Sequence, residues 1–164
     1  MTTETAANGK PIESVWDFPR PPRLERVPWR VRVVHGGLLI VDAPASVRVL
    51  ETSQPPTYYV EEEFVRMDCL RITKHTTVCE WKGTAAYADV VSGDAVADEA
   101  AWKYDDPTYG FEEIAGRWAF YAQKLDECWL DDEQVEGNPG LFYGGWITEN
   151  VVGPFKGGPG TADW

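Results

Sequence analysis

At 164 residues, with 43% apolar and 13% aromatic side chains, the chain is long enough for one domain with a real core, and its composition argues against disorder throughout. A formal net charge of −12 argues against a nucleic-acid backbone or an anionic membrane as the main partner. Twelve prolines and fifteen glycines punctuate the chain too often for a helical bundle and favour many short strands.

In chain order, residues 1–10 are small and polar, and residues 1–15 are expected to form a disordered N-terminus. The stretch VWDFPRPPRLERVPW, with its four prolines, reads as an extended arm that docks by its aromatics and does not pair in a central sheet. WRVRVVHGGLLIVD alternates up to His35-Gly36-Gly37 and resumes at Leu38–Val41, which is the pattern of a β-hairpin. Val47–Glu51 and Thr57–Val60 predict a second strand pair, and EEEFVRMD predicts one helical turn before a strand at Cys69–Lys74. Val78–Trp81, Ala85–Val91 and Val96–Trp102 predict three further strands, the last two joined at Ser92-Gly93-Asp94. Phe111–Ala115 predicts a short helix stopped at Gly116, and Trp118–Tyr121 and Cys128–Leu130 predict buried strands. From Gly137 onward Gly, Pro and aromatics dominate without a period. Phe142, Tyr143, Trp146, Phe155 and Trp164 are too large to be left in water, so residues 137–164 are expected to wrap the domain formed by 16–136.

The charge is uneven. Residues 1–50 hold seven Lys/Arg against five Asp/Glu, and the remainder hold eight against twenty-two. Arg20, Arg23, Arg26, Arg30 and Arg32 either wrap an acidic body or collect a small anion, and charge matching within the chain is the reading that needs no ligand. Cys69, Cys79 and Cys128 are odd in number and contain no C-x-x-C pair, so neither a disulfide scaffold nor a four-cysteine zinc site is expected, and no cofactor or metal is implied. No secretory h-region precedes the first Trp, and the longest strongly apolar run, Leu38–Val41, is too short to cross a bilayer. A cytoplasmic location is expected.

Between His75 and Tyr109 the segment HTTVCEWKGTAAYADVVSGDAVADEAAWKYDDPTY concentrates Tyr, Trp, His, Cys and Lys on strand-like stretches. Each of these side chains except Cys brings a polar atom that needs a partner when buried, so their convergence points to a pocket with an aromatic wall and a few polar groups.

RVPWRVRVVHGG, RVLETSQPPTYYV, the VRMD–CL stretch, HTTVCEWKGTAAY, EAAWKYDDP and RWAFYAQKLDEC, in this order, resemble the family of domain of unknown function 427, which carries a nucleotidyltransferase-like label. The resemblance covers residues 16–136, and FYGGWITENVVGPFKGGPG resembles the C-terminal extension of a longer bacterial subgroup. It implies a β-tent-like fold, in which sheets of short antiparallel strands meet over a cleft, as in the cereblon ligand-binding domain and methionine sulfoxide reductase B. Many of those relatives hold a zinc between two C-x-x-C pairs, which this chain lacks. The transferase label finds no Gly-rich phosphate loop and no paired-aspartate strand here.

Eight residues are the expected lining of the cleft: Glu51, Tyr58, His75, Cys79, Lys82, Tyr87, Trp102 and Tyr104. Glu51 ends a strand and serves either as hydrogen-bond acceptor or general base in the cleft, or as a turn-stabilising acid. Tyr58 and Tyr59 point to opposite faces, with Tyr58 assigned to the cleft. His75 and Cys79, four apart on an extended segment, would lie roughly 13 Å from one another, too far for a Cys–His hydrogen bond. Cys79 is better read as a structural thiol than as a nucleophile. Lys82 would meet a ligand carboxylate or phosphate as a point charge. Trp102 and Tyr104 share one strand face and Lys103 takes the other. Trp118, Phe120 and Tyr121 are assigned to the core, and the acidic runs to solvated turns. The expected protein is an all-β, small-molecule-binding domain with minor helix, for which a homodimer is compatible. The alternatives are an enzyme using Cys79 or a Glu51/His75/Lys82 set, and a protein-interaction module.

Overall fold

The computed structural model describes residues 4–140 and 142–164 and is all-β: among these residues the helical elements are five 3-10 turns of three residues each. The strands are β1 (Glu13–Ser14), β2 (Arg23–Val27), β3 (Val31–His35), β4 (Leu38–Ala43) and β5 (Ser46–Leu50). They continue with β6 (Thr57–Tyr59), β7 (Leu70–Cys79), β8 (Gly83–Ser92), β9 (Ala95–Lys103) and β10 (Trp118–Phe120). The last are β11 (Glu127–Leu130), β12 (Glu133–Gln134), β13 (Glu136–Gly137), β14 (Trp146–Ile147) and β15 (Val151–Val152).

Three open sheets carry the fold, in the orders β12-β11-β3-β4, β10-β9-β8-β7 and β2-β5-β6, with two-stranded pairs β13-β14 and β1-β15 beside them. All pairings are antiparallel except β1 with β15. The His35-Gly36-Gly37 turn forms as expected, with both glycines at positive φ. Reciprocal backbone hydrogen bonds of 2.9 Å between Val60 and Trp118 join the edge of the β6 sheet to β10.

The period-two alternation of these strands sorts most of their side chains into two larger cores, beside a smaller cluster of Val15, Phe18, Leu50 and Val151. Val31, Val33, Ile40, Val41, Ala88, Val90, Trp118, Phe120, Cys128 and Leu130 fill the first. Val47, Val49, Tyr59, Trp102, Tyr104, Phe111, Ile114, Ala119 and Tyr121 fill the second, on the other face of β9 and β10. Adjacent residues part accordingly: Tyr58 enters the first core and Tyr59 the second. Burial in the first core pushes the Cys128 thiol well above its ordinary pKa, so it is an inert structural thiol.

Several sequence expectations are corrected. Residues 4–15, expected to be disordered, are held in place: Asn8 donates to Glu133 and Asn150, Lys10 reaches Asp131 at 2.9 Å, and Val15 is fully buried. Residues 1–3 lie outside the described residues. The Pro-rich arm does pair, because β2, which falls between its prolines, runs along β5 from Arg23 to Val27. Glu13 of β1 and Glu25 of β2 both accept from Arg48, at 2.7–2.8 Å and 2.8–3.0 Å, and Arg48 is only 3% exposed. The separate strands expected at Cys69–Lys74 and Val78–Trp81 are one strand, β7, and the expected helical turn is two 3-10 turns at Glu62–Phe64 and Met67–Cys69.

The N-terminal arginines find partners within the chain. Arg30 grips Asp42 with two bonds of 2.7 and 2.8 Å, Arg26 meets Glu113 at 2.7 Å, and Arg32 donates to the Asp131 carbonyl at 2.9 Å. Arg20 donates to the Thr52 and Trp164 carbonyls at 3.1 Å. The Arg26 and Arg30 pairs are exposed and contribute little stability, but the Arg26 pair does join the basic first part of the sequence to the acidic remainder.

Candidate functional site

The β7–β8 hairpin closes at the pair Cys79↔Gly83, so Trp81 and Lys82 sit in its turn and Gly83 supplies the positive φ that the turn needs. The turn is tied down from outside: the Lys82 carbonyl accepts from the Thr108 amide at 3.1 Å, and the Trp81 carbonyl accepts from the Thr108 hydroxyl. Beneath it, Tyr87 on β8 lies opposite Trp102 on β9, and Tyr104 follows two residues on. The end of β5 brings in Glu51. Together Glu51, Cys79, Lys82, Tyr87, Trp102 and Tyr104 line a cleft of about 270 Å³.

The aromatic wall is fixed by contacts between its members. The Trp102 indole N–H donates to the Tyr59 hydroxyl at 3.2 Å, and its ring lies 4.5 Å from that of Tyr121 and edge-on to Tyr59 at 6.1 Å. Burial holds the Tyr104 phenol far above its ordinary pKa, so it is a neutral hydroxyl at any physiological pH. The Lys82 ammonium stands 5.6 Å above the Tyr104 ring. Burial works against its charge, but Tyr59, Cys79 and Glu51 outweigh that and raise its pKa above the usual lysine value. Lys82 therefore offers a positive charge inside a largely aromatic enclosure. Glu51 accepts from Gln54 at 3.0 Å and lies 3.9 Å from the Arg20 guanidinium, so its carboxylate is oriented by the loop that follows β5.

The C-terminal segment completes the wall with Tyr143, Gly144 and Lys156. Gly144 lies flat against Trp102: a Cβ there would stand 2.2 Å from the indole ring, which no side chain can tolerate. Lys156 donates to the Trp164 carbonyl at 3.1 Å and its ammonium lies 5.3 Å over the Tyr143 ring.

Two expected site residues lie elsewhere. Tyr58 is buried in the first core against Trp146, with ring centroids 5.6 Å apart, while its neighbour Tyr59 stands in the second core behind the cleft wall, bonded to Trp102, and Thr57 on the same strand face lines the cleft. Strand alternation separates the two tyrosines, but the sequence does not say which face holds the cleft. His75 lines an adjoining depression that shares Thr77, Tyr87, Tyr121 and Phe142 with the cleft. Its Nδ1 is bonded to Glu99 at 2.5 Å, so it forms no set with Glu51 and Lys82. Tyr121, assigned from sequence to the core, lies in both the core and the cleft wall. Tyr143, Gly144 and Lys156 were missed because nothing local in the tail says which surface it covers. The close-packed Gly144-Gly145 pair, free of side chains beside a Trp, is the one signal that was legible.

Asp89 stabilises the floor beside Tyr87. One oxygen accepts from the Glu99 amide at 2.8 Å and the other from Arg71 at 3.0 Å, and these bonds, the first foremost, hold its pKa below the usual carboxylate range despite its burial. A depressed folded-state pKa contributes stability that is present above the unfolded value of about 3.9 and is lost as pH falls through the folded one. Asp89→Asn should therefore lower Tm at pH 7, with the gap to wild type narrowing below about pH 4. Melts across pH 2.5–7 that keep a constant gap would refute this.

Open antiparallel sheets of short strands beside an aromatic cleft with an internal lysine define the class of domain. The profile of the family described as domain of unknown function (DUF427) matches residues 23–131, and the chain belongs to that family. The match spans β2 to β11 and holds all eight residues expected from the sequence, whereas Tyr143, Gly144 and Lys156 lie beyond it. Comparison with curated proteins finds no match.

Proposed function

We propose that this domain binds a small, flat, anionic ligand in the aromatic cleft. The observation that carries the reading is Lys82: its ammonium stands over the Tyr104 ring in the lining of the cleft, where a bound carboxylate or phosphate would meet it as a point charge. The buried indole and phenol faces would take an unsaturated ring, and Glu51 with Gln54 would take a polar substituent on it. Three free thiols suit a reducing compartment such as the cytoplasm.

Benzoate and its neutral counterpart benzyl alcohol separate charge recognition from ring burial. Calorimetric titration should show benzoate binding at least tenfold more tightly, in line with a charge-assisted contact of about 1.5–3 kcal/mol. Lys82→Met should abolish that preference and leave Tm within a few degrees of wild type. Equal affinity of wild type and Lys82→Met for benzoate, or no binding of benzoate at millimolar concentration, would refute the proposal.

A further inference from the structure

Two bulges flank β8 at one point in the central sheet. On the β7 side, Thr73, Lys74 and His75 all lie opposite Tyr87, between the pairs Ile72↔Ala88 and Thr76↔Ala86. On the β9 side, Asp98, Glu99 and Ala100 lie opposite Asp89, between Ala88↔Ala101 and Val90↔Ala97. The bulges bring His75 and Glu99 together across β8. The His75 ring stacks on Tyr87, with centroids 4.8 Å apart and planes at 18°, and its Nδ1 meets the Glu99 carboxylate at 2.5 Å.

The arrangement is costly. Glu99 sits at φ +47°, in the left-handed region that a non-glycine residue enters at a cost of about 1–2 kcal/mol. The ion pair itself returns little stability, because His75 and Glu99 have side chains 53% and 34% exposed and an exposed pair contributes little. Protection of a free sheet edge would explain a bulge in β7, the outer strand, but not the one in β9, which lies between β8 and β10. Bulges that aim a side chain recur beside functional sites. A carboxylate can only accept, so Nδ1 carries the hydrogen, and in the neutral imidazole Nε2, which has no partner among the described residues, presents a lone pair.

We propose that the His75–Glu99 pair is a second subsite of the same ligand site, in which His75 Nε2 accepts a hydrogen bond from a hydroxyl at the far end of an aromatic acid whose carboxylate lies at Lys82. The proposal rests on the cleft reading above and names the ligand class more narrowly, as hydroxylated aromatic carboxylates. Tyr87 joins the two subsites: one side of its surroundings is the cleft, and its ring carries the imidazole. Its hydroxyl is anchored to Thr77 at 2.7 Å, which fixes the platform.

The test uses three pairs of probes differing only in a para hydroxyl, so that reach varies while chemistry does not: 4-hydroxybenzoate, 4-hydroxyphenylacetate and 3-(4-hydroxyphenyl)propionate, each against its deoxy counterpart. In the wild type at least one hydroxylated acid should bind about fivefold or more tightly than its partner, the yield of one added hydrogen bond. His75→Phe keeps a ring for Tyr87 but has no Nε2, and should bring that ratio to one. Glu99→Gly relieves the left-handed strain, so it should hold or raise Tm while the ratio falls. Ratios within twofold for all three pairs, a ratio that survives either substitution, or a marked loss of Tm in Glu99→Gly would overturn the subsite while leaving benzoate binding in place. Failure of all six acids, benzoate among them, to bind would remove the cleft reading and the subsite together.

Discussion

Replacing Trp146 with alanine should cost about 3–5 kcal/mol, the range for removing a large buried ring, and lower Tm by roughly 6–20 °C in a domain of this size. Trp146 is 1% exposed although it belongs to a segment with no hydrophobic period. Its indole N–H donates to the Phe120 carbonyl at 2.8 Å, its amide donates to the Pro56 carbonyl at 2.8 Å, and its ring lies against Tyr58. Truncation therefore leaves a cavity in the first core and an orphaned carbonyl beside it. Phe142, four residues earlier and expected from sequence to be buried in the same way, is 73% exposed. Phe142→Ala should change stability by no more than about 0.5 kcal/mol. Chemical denaturation of both variants decides the matter: a loss under 1 kcal/mol for Trp146→Ala would mean that the C-terminal segment is an appendage and not part of the core.

Trp102→Ala should be as damaging to stability and should also remove ligand binding. The ring belongs to the second core and to the cleft wall at once, is 5% exposed, bonds to Tyr59 and supports Gly144 of the C-terminal segment. Its loss leaves a cavity worth about 3–5 kcal/mol and lets the segment over it collapse into the cleft. Benzoate affinity should fall at least tenfold, while Trp102→Phe, which keeps an aromatic face, should retain most of it. A Trp102→Ala protein that binds benzoate as the wild type does would place the ligand elsewhere, whatever its stability.

These two tryptophans mark the boundary between what was legible in the sequence and what was not. Trp102 lies on a strand whose alternation is plain, so its face, its partnership with Tyr104 and the opposite placement of Lys103 followed from period two alone, and Lys103 does lie across the sheet, over Trp118 at 5.0 Å. The all-β class, the turns at Gly36-Gly37 and Ser92-Gly93-Asp94, and the concentration of site residues after His75 were readable for the same reason: they depend on neighbours in the chain. The sequence by itself thus determined the all-β class, the faces of the strands with a clear alternation and six of the side chains that line the cleft. Only the tertiary structure decided which face of β6 looks into it, taking that of Thr57 and Tyr59 and not that of Tyr58, because alternation distinguishes two faces without naming either. Tertiary structure also decided that His75 meets Glu99, through bulges set by the register of three strands, and that Tyr143, Gly144 and Lys156 wall the cleft. Register and docking depend on contacts between residues far apart in the chain, and a local pattern carries no record of them.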